Sequence, residues 1–230
     1  MNIVVAVRCL NEIKNTDRFM RGYDFADTIV VSDGGSTDGS VELLRTYPKV
    51  KLIHFNGGET VNGVFWNTDA PHMNFVLDAA KELCPDWLIF DDMDCVPTLD
   101  LRLAARDMFR EVYELQDYQI NAFRLYMWGD DQYFPFMNRG FDFDYTSLWA
   151  WQPKVLDIHA DPNVHHGTLT GLTKRNLFKL KPPYCLLHKS WHPDTIDDKI
   201  KRQNAVGIQM EHPLKFAGTP EPLPEWAREE

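Results

Sequence analysis

Apolar residues in the first half of the chain fall into two alternating patterns. Ile3–Val7 is a continuous apolar run that reads as a strand covered on both faces, Thr28–Val31 and Trp87–Phe90 are further apolar strands, and Val50–Phe55 and Ala122–Met127 are strand candidates. Between them, apolar residues recur at helical spacing. Met73, Val76, Leu77, Ala80 and Leu83 form one stripe, opened by Thr68 or Asp69 with Pro71 close behind and stopped at Cys84-Pro85. Leu101, Ala104, Ala105, Met108, Phe109 and Val112 form the longest, with Thr98 as its expected cap. A weak short helix is expected over Asn11–Arg21. Another, carrying Val41, Leu43 and Leu44, is expected to be capped by Thr37 or Asp38. Strand and helix in turn predict an α/β fold, a mostly parallel sheet flanked by helices with right-handed crossovers.

After residue 128 the pattern degrades. Trp128–Trp151 is dense in aromatic and acidic residues and shows poor periodicity of either kind. No linker separates it from what precedes, so residues 1–212 are expected to form one domain with an irregular, aromatic-rich C-terminal portion. Residues 213–230, with four prolines among several glutamates, are expected to be an extended tail.

Composition narrows the class. With 44% hydrophobic and 25% charged residues the chain is too apolar for disorder. Its net charge of −10 argues against a surface built for polyanions. No apolar run reaches the length of a membrane span, and the N-terminus reads as a strand rather than a leader. Cys9, Cys84, Cys95 and Cys185 contain no C-x-x-C pair, so reduced thiols in a cytoplasmic setting are expected. The region from Leu172 to Arg202 is basic, with eight Lys and Arg against three Asp.

Candidate chemistry sits where strands end, the place open α/β sheets bind ligands. Asp33-Gly34-Gly35-Ser36-Thr37-Asp38-Gly39 follows the second strand, and its small residues leave room for a flat ligand. Asp33 can accept hydrogen bonds from a base or ribose, though a plain strand-to-helix turn would look similar. Asp91-Asp92-Met93-Asp94 follows the Trp87–Phe90 strand. Carboxylates this close repel one another and suit Mg²⁺ or Mn²⁺, with Asp92 and Asp94 projecting to one side as the natural pair. An acidic turn before a helix is the competing reading.

Together, in this order and at these strand ends, the two motifs resemble the inverting family 2 glycosyltransferases with the GT-A, Rossmann-like fold, and Asn11-Glu12 matches the Asn-Glu common after their first strand. The resemblance covers residues 1–100 well and the remainder in outline. It implies transfer of a sugar from a nucleoside-diphosphate sugar, with a UDP-sugar the expected donor, to an acceptor hydroxyl.

 Inversion at the anomeric carbon is part of what the resemblance implies. Carried over residue by residue, Asp33 and Asp92 bind the nucleotide, and Asp92 and Asp94 hold Mn²⁺ or Mg²⁺. Cys95 stands where many relatives carry a glutamate after the Asp-x-Asp pair. The late His188, in Leu186-Leu187-His188-Lys189, resembles a third, loop-borne metal ligand, with Lys189 beside it to meet the diphosphate and Lys199 and Arg202 as further cations. His166 stands where some relatives have the acid of a His-Glu pair and is a candidate catalytic base, with Asp144 and Asp142 as competitors. The acceptor stays open: glycan, lipid-linked sugar, protein or nucleic acid. The rival readings are a catalytically degenerate GT-A-like domain that only binds glycans or nucleotides, a sugar-phosphate nucleotidyltransferase and a metal-dependent phosphohydrolase.

Overall fold

Strand β1 (Ile3–Cys9) sends Ile3, Val5 and Val7 into one apolar layer and Val4 and Ala6 into another, and all of them are fully buried. This two-sided burial is why the strand reads as an unbroken apolar run. The computed structural model describes residues 1–61, 64–67, 69–134, 146–161, 169–172, 176–205, 211–217, 219–227 and 229.

After β1 come α1 (Ile13–Gly22), β2 (Thr28–Asp33), α2 (Ser40–Leu44), β3 (Val50–His54) and an antiparallel pair, β4 (Gly58–Val61) and β5 (Val64–Asn67). Then follow α3 (Asp69–Lys81), β6 (Trp87–Asp92), β7 (Cys95–Pro97), α4 (Leu99–Glu114), β8 (Gln119–Trp128), β9 (Gln132–Tyr133) and β10 (Thr146–Trp151). The remainder holds β11 (His159–Ala160), β12 (Leu169–Thr170), β13 (Leu177–Lys179), β14 (Leu186–Trp191), α5 (Ile196–Ala205), α6 (Pro213–Phe216) and β15 (Glu221–Pro222).

The main sheet runs β3-β2-β1-β6-β10-β8-β9-β15. β3, β2, β1 and β6 are parallel, and β10 is antiparallel to both β6 and β8, so β8 points the same way as β6. One layer is filled by Phe19, Met20 and Tyr23 of α1 and by Leu101, Ala105 and Phe109 of α4. The other is filled by Met73, Val76, Leu77 and Ala80 of α3. Each fully buried aliphatic or aromatic side chain of this kind contributes about 1.5–3 kcal/mol of transfer free energy.

Three expectations change. Thr146–Trp151, in the stretch expected to be irregular, is an interior strand; Trp149 and Trp151 are both fully buried and join opposite apolar layers, so no polar alternation marks it. Thr98 precedes α4 but makes no side-chain cap; its hydroxyl donates to Pro183 O at 2.7 Å, tying α4 to the approach of β14. Residues 213–230 include a helical turn and a short strand on β9, and Ala227 is buried in the core. Glu229 pairs with Arg18 at 2.8 Å, so the segment is docked on the domain.

Candidate functional site

Two loops meet at the carboxyl ends of β1 and β2. Asn11, with φ of 57°, turns the chain out of β1, and its side-chain oxygen accepts from Thr37 N at 2.8 Å. Ser36 Oγ accepts from Asn11 N at 2.8 Å and Ser40 Oγ from Glu12 N at 2.9 Å. The Asp38 carboxylate accepts from both Ile13 N and Ser40 N at 3.0 Å, serving the starts of α1 and α2 together. The Ser-Thr-Asp portion of the first motif is therefore spent on holding Asn11-Glu12 in place.

Asp33, at the tip of β2, closes its own turn. Its carboxylate accepts from Gly35 N at 3.0 Å and Ser36 N at 3.1 Å, and Gly35 adopts a φ of 101° that a side chain would oppose. Asp33 is only 3% exposed.

The acidic motif divides across the sheet. Asp91 points into the core, where Arg124 Nη2 donates at 3.0 Å and Tyr23 Oη at 2.5 Å. Burial lifts its carboxyl above the ordinary range, although Arg124 and Tyr23 oppose the shift. Asp92 faces outward and pairs with Arg8 at 3.4 Å. Asp94 lies 3.4 Å, through Oδ1, from His188 Nε2. Burial alone would discourage its ionisation, but His188, Lys199 and Arg18 outweigh that and hold it below the usual carboxylate range.

His188 is carried by a strand rather than by a loop. β14 pairs with β7 and β8, which sets His188 opposite Cys95 and Tyr126, with the Tyr126 ring 5.2 Å away. Glu12 belongs to the same neighbourhood. Burial and the nearby Asp94 lift its carboxyl to about 7, with Asp92 adding to the shift and Asn15 and Lys199 opposing it. Thus Asp92, Asp94, Glu12, His188, Arg8 and Lys199 gather near the ends of β1 and β6.

Lys189 turns the other way, as adjacent strand residues do. Its Nζ lies 2.9 Å from Asp130 and 3.2 Å from Glu229, and it lines a cavity of about 490 Å³ against the C-terminal segment. That cavity shares only Lys189 with the expected site. His166, Asp142 and Asp144 lie outside the described residues. Sequence reasoning passed over Arg8, for which a charged residue near the end of an otherwise apolar β1 was the available signal.

Among the described residues, no three His, Cys, Asp or Glu side chains are grouped so as to hold a metal ion. Asp94 Oδ1 and His188 Nδ1 are nevertheless buried without a hydrogen-bond partner. An ionised carboxylate and an imidazole side by side suit Mn²⁺ or Mg²⁺, which take few protein ligands when phosphate oxygens complete the shell.

The parallel strands, the antiparallel β10 and the flanking helices define an α/β fold of GT-A type. Solved structures similar to this chain include those of S. aureus TarS. Residues 1–349 of TarS in complex with UDP match with a TM-score of 0.53 at 12% identity, over 90% of this chain and 65% of that one. A longer TarS structure matches at 0.53 and 13%, over 90% and 39%, and a further 1–349 structure at 0.53 and 14%, over 92% and 67%. The chain thus spans about two thirds of the shorter TarS structures, and at these identities the likeness is one of fold. No protein-family model and no curated protein sequence matches the chain. Among the described residues, no helix is long and apolar enough to cross a membrane.

Proposed function

We propose that this protein is a glycosyltransferase that moves a sugar from a nucleoside-diphosphate sugar, a UDP-sugar by preference, to an acceptor hydroxyl with inversion. The observation that carries the reading is the gathering of Asp92, Asp94 and His188 at the carboxyl ends of parallel strands, on a fold shared with a UDP-bound neighbour. In this reading Asp94 and His188 hold Mn²⁺ or Mg²⁺ beside Asp92, and the bound ion supplies positive charge for the leaving diphosphate. Arg8, paired with Asp92, and Lys199, which acts on Asp94, add cationic charge on this side, whereas Lys189 lies against Asp130 and Glu229. The acceptor oxygen attacks the anomeric carbon as the bond from that carbon to the phosphate oxygen breaks. Its proton passes to a base, for which His166 and Asp144 are the candidates. Four free cysteines, three of them buried, favour a reducing compartment such as the cytoplasm.

Calorimetric titration of UDP with and without Mn²⁺ tests the reading. Metal-dependent binding is expected, weakened at least tenfold in Asp94→Asn. Absence of nucleotide binding under both conditions would overturn it, and turnover of a nucleotide-sugar panel would then identify the donor sugar if binding is found.

A further inference from the structure

His54 ends β3 directly opposite Asp33 of β2, so the two side chains share one face of the sheet. Its Nδ1 lies 3.5 Å from Asp33 Oδ2; the imidazole is 52% exposed and the carboxylate only 4%. Both Asp33 oxygens already accept backbone N–H groups from Gly35 and Ser36. A flat ligand approaching these strand ends therefore meets the His54 ring before it meets the carboxylate.

The strand end that carries His54 is firmly held. Phe55 N donates to Asp33 O at 2.8 Å. The Phe55 ring stacks on His72 with centroids 4.4 Å apart, and His72 Nε2 is 2.8 Å from Ser32 Oγ. A side chain fixed at its backbone and exposed at its tip suits recognition.

Resting on the nucleotide-sugar reading above, we propose that His54 reads the nucleobase, with Asp33 behind it as a positioning residue. The carboxylate favours the tautomer with the proton on Nδ1, which leaves the Nε2 lone pair facing solvent as an acceptor. An acceptor there selects bases whose ring nitrogen carries hydrogen: uracil and thymine at N3, guanine at N1. Cytosine at N3 and adenine at N1 present a lone pair instead and are disfavoured. UDP and CDP share ribose and diphosphate, so their comparison isolates the base.

The test is calorimetric titration of UDP and CDP, each with Mn²⁺, into wild type, His54→Ala and His54→Gln. Wild type is expected to prefer UDP by about tenfold, the discrimination of one well-placed hydrogen bond. His54→Ala should bind the two within about twofold while melting at the wild-type temperature, because the side chain is half exposed. His54→Gln, which offers a carbonyl acceptor, should recover part of the preference. Equal binding of UDP and CDP by wild type, or a preference that survives in His54→Ala, overturns the role of His54 and leaves the nucleotide site standing. Failure of wild type to bind either nucleotide overturns both.

Discussion

Replacing Arg124 with Met strips its paired guanidinium from the fully buried Asp91, whose carboxylate also accepts from Tyr23 and from Asp92 N. At the observed 3.0 Å, an ion pair in a medium of effective dielectric 20 attracts by about 5–6 kcal/mol before desolvation is counted. Leaving one buried charge without its partner costs about 3–5 kcal/mol. For a domain of this size each kcal/mol lowers Tm by about 2–4 °C, so a fall of about 6–20 °C is expected.

The effect carries a pH signature. Burial already lifts the Asp91 carboxyl above its unfolded value, and removing Arg124 lifts it further. A folded-state pKa raised in this way means the native state takes up a proton more readily than the unfolded chain, so the variant regains stability as pH falls through that raised value. The deficit measured by urea unfolding should therefore be larger at about pH 7.5 than at about pH 5.5. Asp91→Asn combined with Arg124→Met should cost less than the sum of the single changes, since the stranded charge is gone. A loss under about 1 kcal/mol, no pH dependence, or strict additivity would each refute the reasoning.

Two further outcomes follow from burial and charge. Cys84 is exposed while Cys9, Cys95 and Cys185 are buried, with burial pushing the Cys9 thiol up to about 12; a disulfide dye should titrate one thiol quickly in the native protein and all of them in denaturant, and three fast thiols would contradict the packing. Glu229 is held below the usual carboxylate range because Arg18 and Lys189 outweigh its burial, so its stabilisation is present above the unfolded carboxylate pKa and lost as pH falls through the lower folded value; Glu229→Gln should speed amide exchange across residues 219–227 at neutral pH and remove the acid-induced loosening, and unchanged exchange would refute the latch.

The parallel half of the sheet was legible because its strands are buried on both faces and its helices carry clear stripes, as in β1 against Phe19 and Val76. β10 was not, because Trp149 and Trp151 are as apolar as the core that surrounds them and alternate only between two buried layers. The cap at α4 misled for a related reason: Thr98 has the right residue type and backbone position, yet its hydroxyl finds a better-placed acceptor in Pro183, far away in sequence. Likewise, the small polar residues of the first motif read as room for a flat ligand, but Ser36 Oγ and the Asp38 carboxylate accept from the backbone of Asn11 and Ile13, and Thr37 donates its N–H and hydroxyl to the Asn11 side chain.

The carboxylates show most plainly what spacing leaves open. Three aspartates within four positions look alike in sequence, but strand alternation sends Asp91 inward to Arg124 and Asp92 outward to Arg8. Asp94 lies beyond the end of β6, and its partner His188 comes from β14, which reaches it only by pairing with β7 and β8. Arg18 then fastens the arrangement: one guanidinium nitrogen donates to Asp94 O at 3.0 Å and another to Leu187 O at 3.1 Å. Helix α1, the acidic turn and β14 are thereby joined at a single side chain from the first layer of the core. A disturbance of that layer near Arg18 would shift Asp94 relative to His188, so the geometry of the site and the packing of the fold depend on the same contacts.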